Sequence, residues 1–460
     1  MDLEGYETLI VAKHSQADAP GALFIAAVLL ATVLNPLNSS TISVALPVLL
    51  GQFHAGAQDL VWLISAYYFG SALAQPVFGK LGDQFGYRPF AYLGLALLAV
   101  PTLLAPFSPS FGWLVGWRVA QAIGTSMLYP SAIGLVRVHR DRDLGRILGW
   151  IGMAVGVALA VGPSLAGAIL ALVGWRGIFW LNAPLIAMIA ILLHRGLRGH
   201  AERAGTSTPA VTAIDLPGIG LLAASLGLLL AASALPGDPT APWLLLAGVA
   251  MVPWLWTVEG RAKAPAFDVR LLKRRPFALA GVITVLANFV MYVVLYGLPS
   301  LLETERGLSP LASGLLLLGF AGVLAIVSPV AGRLAQGRQR RRPLIWAGAL
   351  LLLGCLMLLR LLSMPLGSVF LALALIGVSF ALSNVLLQKL TLENAPAEAA
   401  GSASGLYTLL RYLGTMGSSV AIAAALGQGH DSALLLFSLA GLAAAGSLVF
   451  AFTVRDTAAA

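Results

Sequence analysis

Apolar stretches of about 20 residues recur along this chain, each closed by a short run of charged, polar or glycine residues. Fourteen can be marked, over roughly 22–49, 60–79, 90–107, 112–136, 145–172, 175–194, 214–235, 241–258, 276–300, 310–333, 343–361, 365–388, 398–427 and 432–453. Each is long enough to cross about 30 Å of hydrocarbon as a helix rising about 1.5 Å per residue. A helix satisfies its own backbone polar groups, as a segment in lipid must. The stretches do not alternate apolar and polar residues, which argues against a transmembrane β-barrel. The pattern predicts an all-α polytopic membrane protein.

Composition agrees. The chain is 59% hydrophobic and 10% charged, whereas a soluble domain carries about 25% charged residues. The net charge of +9 would suit nucleic acid, but the basic residues sit in short links between apolar runs. Placing the N-terminus in the cytoplasm puts 80–89, 137–146, 195–213, 259–275, 334–342, 389–397 and the C-terminus inside. Of the 28 Lys and Arg residues, all but Arg118, Arg176, Arg306, Arg360 and Arg411 then lie on that side or at its boundary. This asymmetry predicts an even number of spans with both ends cytoplasmic, and no nucleic-acid partner.

The chain divides into an N-terminal tail (1–21), a six-helix half (22–194), a linker (195–213), an inserted helix pair (214–258), a second linker (259–275), a second six-helix half (276–453) and a tail (454–460). Designs of this kind place a small-molecule site near the midplane between the halves. Asp2, Glu4, Glu7 and Asp18 make the N-terminus unlike a basic signal peptide, so the first helix reads as an uncleaved span. The single Cys355 offers neither a disulfide nor a metal cluster. No helix carries a metal-binding or nucleophile–base pair, and no Gly-x-x-x-x-Gly-Lys-Ser/Thr loop is present. An enzyme, a metal site and a cofactor are therefore not expected.

Several motifs interrupt the apolar pattern. The link after the second stretch reads Gly79-Lys80-Leu81-Gly82-Asp83-Gln84-Phe85-Gly86-Tyr87-Arg88-Pro89, which predicts a tight charged loop at a membrane surface. The fourth stretch carries Arg118, Gln121 and Gly124, and the fifth carries Gly162-Pro163-Ser164-Leu165-Ala166-Gly167. Trp175 through Pro184, Arg306-Gly307-Leu308-Ser309-Pro310, Ser328 through Leu334, and Gly405 through Gly414 around Arg411 follow in order. Together these resemble the major facilitator superfamily, and within it the fourteen-helix drug:proton antiporter branch, from about residue 22 to residue 450.

The resemblance implies export of small amphipathic compounds or drugs by alternating access, with protons as the counter-substrate, from a bacterial inner membrane. It implies a conformational latch at Gly79, Asp83, Gly86 and Arg88, where a charge can meet a helix end in the opposite half. Gly156, Gly162, Pro163 and Gly167 would form a pivot in helix five, since small residues let helices approach closely and proline permits a bend. Arg118 is costly to bury in a membrane and is expected to take part in coupling.

One departure bears on that coupling. Antiporters of this branch usually carry a carboxylate where this chain has Asn38, and an amide does not titrate. The remaining acids near hydrocarbon are Glu303, at the end of the ninth stretch, and Asp59, at the start of the second. Three readings stay open: coupling through such a boundary carboxylate, an uncoupled carrier or flippase for a lipid-like solute, and a substrate that is itself anionic or carries the proton. Aromatic and amide residues suited to an amphipathic ligand are Asn38, Tyr67, Gln75, Gln121, Tyr129, Asn288, Tyr292, Tyr296, Asn384, Gln388 and Tyr407, together with Arg411.

Overall fold

The computed structural model describes residues 21–55, 57–200, 215–235, 238–262, 265, 267–337, 339–396, 399–426 and 432–454. Within them the chain is a succession of helices: α1 Ala22–Phe53, α2 Ala57–Phe85, α3 Tyr87–Leu104, α4 Phe111–Arg140, α5 Leu144–Val173, α6 Asn182–Gly196, α7 Leu216–Ala234, α8 Ala241–Arg261, α9 Arg275–Tyr292, α10 Pro310–Gln336, α11 Arg341–Leu358, α12 Leu366–Glu393, α13 Ala400–Leu426 and α14 Ser432–Thr453. Among the described residues, ten helical stretches are long and apolar enough to cross a membrane. Helices α2, α7 and α13 are not among these; α2 carries Tyr68, Gln75, Lys80 and Asp83, and α13 carries Arg411, Tyr412 and Thr415. α2 and α13 lie against each other inside the bundle.

Several expected boundaries need correction. The surface loop expected over 79–89 is mostly helix: α2 runs to Phe85 and α3 starts at Tyr87, with Gly86 as the whole break. Gly86 has φ 90°, a conformation open to glycine and strained for other residues, and its N–H closes α2 on the Gly82 carbonyl at 2.9 Å. α4 and α12 likewise run past the predicted ends of their apolar stretches, to Arg140 and Glu393. The stretch over 175–194 is two pieces, a short helix Arg176–Trp180 and then α6. The stretch over 276–300 passes from α9 through a wider π turn, Val293–Gly297, into a short helix Leu298–Thr304. Glu259, expected in a linker, lies in the last turn of α8 and is fully buried.

Helices α1–α6 pack together, as do α9–α14, and α5 lies along α10 while α2 lies along α13. The α7–α8 pair adds to this bundle, with α7 against α2 and α13. Lipid gives little hydrophobic force between helices, so such crossings depend on close approach of small residues. A Cβ on Gly149 would stand 2.8 Å from Gly332 Cα, and one on Gly79 would stand 2.1 Å from the Gly401 carbonyl oxygen. Glycine at these positions lets the backbones of α5 and α10, and of α2 and α13, touch.

Both contacts lie toward one end of the bundle, which carries Arg88, Arg137, Arg140, Arg142 and Arg340 through Arg342. At this basic end, one apolar core joins residues of both halves, such as Tyr87 and Ile133 with Val385 and Ala403. Toward the other end the core splits: Trp175 and Phe179 belong to one cluster, Leu302 and Phe437 to another.

Candidate functional site

Asp83 stands in the last turn of α2, facing the first turn of α13. Its Oδ1 accepts from the Gly401 backbone N–H at 2.7 Å and from the Tyr87 hydroxyl at 2.5 Å. Its Oδ2 accepts from the Ser402 N–H at 2.7 Å and the Ser402 hydroxyl at 2.5 Å. The first N–H groups of a helix have no partner within it and carry partial positive charge, so a carboxylate there is doubly suited. This contact joins the two halves. The sequence reading placed Asp83 here; it did not find the Arg137 guanidinium, which donates to the Ala395 carbonyl at 2.9 Å across the same interface. Gly79 and Gly86 serve the approach as described, and Arg88 stands half-buried at the start of α3.

The expected pivot residues part company. A Cβ on Gly156 would meet the Ala325 nitrogen on α10 at 2.6 Å, so Gly156 lies between the halves. Gly162 faces Ser40 on α1, within its own half, and a Cβ on Gly167 would meet nothing within 4 Å. Pro163 lines a central cavity.

That cavity, of about 140 Å³, lies between the halves. From α1 come Thr32, Asn35, Pro36, Ser39 and Ser40; from α2 Gln75; from α4 Tyr129; and from α5 Val155, Leu159 and Pro163. The second half contributes Met291, Tyr292, Leu295, Tyr296, Leu317, Phe380, Thr408, Arg411 and Tyr412. Of the candidates named from sequence, Gln75, Tyr129, Tyr292, Tyr296 and Arg411 line it. Asn38, Tyr67, Gln121, Asn288, Asn384, Gln388 and Tyr407 do not. Asn38 is buried and accepts from Asn182 Nδ2 at 2.8 Å. Asn288 accepts from Arg411 Nε at 3.4 Å, Gln388 donates to the Tyr129 hydroxyl at 2.7 Å, and Tyr407 donates to Asn384. Asn35, Ser39 and Tyr412 were missed. The Tyr412 hydroxyl accepts from Asn35 Nδ2 at 3.1 Å and Gln75 Nε2 at 3.0 Å, and Ser39 meets the Tyr296 hydroxyl at 3.1 Å. The signal was present: Asn35 and Ser39 are one helical turn apart in an otherwise apolar run, so they share a face.

Arg118 does not line the cavity. It is 2% exposed, its guanidinium lies 4.3 Å from the centre of the Tyr67 ring, and it donates to Gln121 Oε1 at 2.9 Å. Tyr67 in turn bonds Thr125 at 3.0 Å. The positive charge is thus held by a ring face and a neutral amide within α2 and α4. α4 is unbroken around it. Glu303 accepts from the Ser313 hydroxyl at 2.6 Å, across the turn between the extension of α9 and α10. Asp59 lies in the first turn of α2, and its side chain is outside the described residues. Among the described residues, no carboxylate lines the cavity and none pairs with Arg118 or Arg411.

A helical membrane bundle of two halves meeting around a central cavity is the architecture of a solute carrier. A profile of the Major Facilitator Superfamily matches residues 28–419, and the chain belongs to that family. It is 36% identical over 414 residues to YwoD, an uncharacterized MFS-type transporter of Bacillus subtilis (strain 168), covering 88% of this chain and 90% of that one. It is 30% identical over 409 residues to the tetracenomycin C resistance and export protein of Streptomyces glaucescens, covering 86% and 74%. The crystal structure of the human organic anion transporter MFSD10 (TETRAN) aligns with a TM-score of 0.69 at 16% identity, covering 94% of this chain and all of that one, a likeness of fold. The chain is a multi-pass integral membrane transporter, and not an enzyme.

Proposed function

We propose that this chain exports small amphipathic compounds from a bacterial cell through the cytoplasmic membrane, by alternating access. The observation that carries the reading is the cavity between the halves, walled by tyrosine rings and shut at the basic end by the Asp83 contact. The proposed topology is fourteen spans, six in each half and two inserted, with both termini and the basic end in the cytoplasm. The conformation is then the outward-facing one. Asp83, Gly79, Gly86 and Arg88 form the latch that stabilises it; Gly156 is the contact about which the halves rock. Arg118 holds α2 to α4 so that the latch helix moves with its half.

The drug:proton branch implies proton antiport, with Glu303 and Asp59 as the carboxylates left to carry it. A second reading, an uncoupled carrier, is favoured by one observation: among the described residues the cavity holds no carboxylate, and Asn38 is committed to Asn182. Flux of lipophilic cations, neutral compounds and anions into proteoliposomes, with and without an imposed pH gradient, separates the two. Uphill movement driven by the pH gradient supports antiport. Flux that responds to no pH gradient supports the uncoupled carrier, and no flux of any compound overturns the transporter reading.

A further inference from the structure

Building on the reading of the central cavity as a carrier's binding site, we propose that it takes planar aromatic monoanions, held by Arg411, whose charge lets the membrane potential drive their export. Arg411 lines the cavity, and its Nε reaches the neutral Asn288 Oδ1 at 3.4 Å, at the long limit of a hydrogen bond. No described Asp or Glu pairs with it or shares the cavity. Its partners are the Tyr129 hydroxyl and the Asn288 amide, neither of them a carboxylate, so no full counter-charge faces the guanidinium and an anionic ligand supplies one. A cation would meet the same charge unopposed.

The walls add the rest of the chemistry. Tyr292 and Tyr296 lie nearly parallel, at 25° with 5.6 Å between ring centres, and Phe380 lines the cavity from α12. Flat ring faces suit a flat ligand. The Tyr412 hydroxyl, with Asn35 and Gln75 bonded to it, adds a polar spot beside the rings.

The charge of the cargo also bears on the missing carboxylate. Each outward passage of a monoanion moves one negative charge down an interior-negative potential, with no proton exchanged. A potential of 100 mV supports roughly fifty-fold accumulation of a monovalent ion. A carrier of this kind has no need of a titrating group where Asn38 stands.

The test uses the full chain in proteoliposomes with a potassium-diffusion potential set by valinomycin. The probes are 2-naphthalenesulfonate, a fixed anion, and trimethyl(2-naphthyl)ammonium, a cation with the same rings. The expected result is saturable accumulation of the sulfonate on the positive side, unchanged by a pH gradient and lost when the potential is collapsed. Arg411→Gln should lower its initial rate about tenfold or more, the loss of a charge-assisted contact, and Arg411→Lys should restore part of it. Transport of the cation at an equal or greater rate, or sulfonate flux indifferent to Arg411→Gln, overturns the anion inference and leaves the carrier reading standing. Transport of neither probe overturns the anion inference, and the carrier reading falls with it only if no cation, neutral compound or anion of the wider panel moves either. The comparison of the two probes on the unaltered chain decides the matter even if the variants fail to fold.

Discussion

Replacing Asp83 by Asn is the sharpest perturbation of the proposed latch. The carboxylate accepts four hydrogen bonds, from Gly401, Ser402 twice and Tyr87. An amide keeps one oxygen and turns an NH2 group toward donors it cannot satisfy. Either orientation leaves one of the two backbone N–H groups at the start of α13 facing another donor. A hydrogen bond to a charged group contributes about 1.5–3 kcal/mol, and a negative charge at a helix N-terminus about 0.3–1 kcal/mol more. Burial pushes the Asp83 carboxyl up to about 6 and offsets the contribution of the charge, so losing one charged pair of bonds should weaken the closed basic end by about 2 kcal/mol, an equilibrium shift of more than tenfold. Ala403 reports on that equilibrium, because it is fully buried on α13 one residue beyond the contact. A chain carrying Cys355→Ala and Ala403→Cys, held in nanodiscs, should react with a water-soluble maleimide slowly, and at least tenfold faster once Asp83→Asn is added. An unchanged rate in a chain that remains monodisperse would refute the reasoning, since it would mean these bonds do not hold the basic end shut.

The other predictions follow from single contacts. Gly149→Leu places a side chain where even a Cβ stands 2.8 Å from the α10 backbone, so export should fall at least tenfold while the chain still purifies as a folded species; this is read by flux beside size-exclusion chromatography. Asn38→Asp keeps an acceptor for Asn182 and adds a titrating group within the bundle, so the initial rate of transport should become pH-dependent where the unaltered chain is flat. Glu303→Gln keeps an oxygen for the Ser313 hydroxyl, so an uncoupled carrier should transport at an unchanged rate; a loss of uphill transport under a pH gradient would identify Glu303 as the coupling group.

Much of the architecture can be read from the chain because lipid imposes a coarse rule: an apolar run of sufficient length becomes a helix. The ends of the helices are less legible. Beyond the hydrocarbon, hydrogen bonding and glycine geometry decide, and the Lys80–Phe85 segment stays helical although it reads as a loop. Asp83 and Gly79 could be found because a charge and a glycine are conspicuous in an apolar context. The cavity was harder. Spacing marks Asn35 and Ser39 as one polar face of α1, but a lone tyrosine or amide carries no mark of which neighbour it faces, so Tyr407 and Gln388 stand behind the wall while Tyr412 forms part of it. Arg137 is a typical end-of-helix cation in sequence, and only packing sets it against the Ala395 carbonyl.

The most direct test of alternating access is the distance across each end of the bundle in one preparation. With Cys355 replaced by Ala, spin labels at Arg142 and Arg342 span the basic end, and labels at Ser110 and Ser363 span the other; all four positions are exposed. Measured by pulsed electron resonance in nanodiscs, each pair should show two populations. Asp83→Asn should lengthen the Arg142–Arg342 distance and shorten the Ser110–Ser363 distance together. A basic-end distance that lengthens while the other stays fixed, or two pairs that widen in step, would contradict the account.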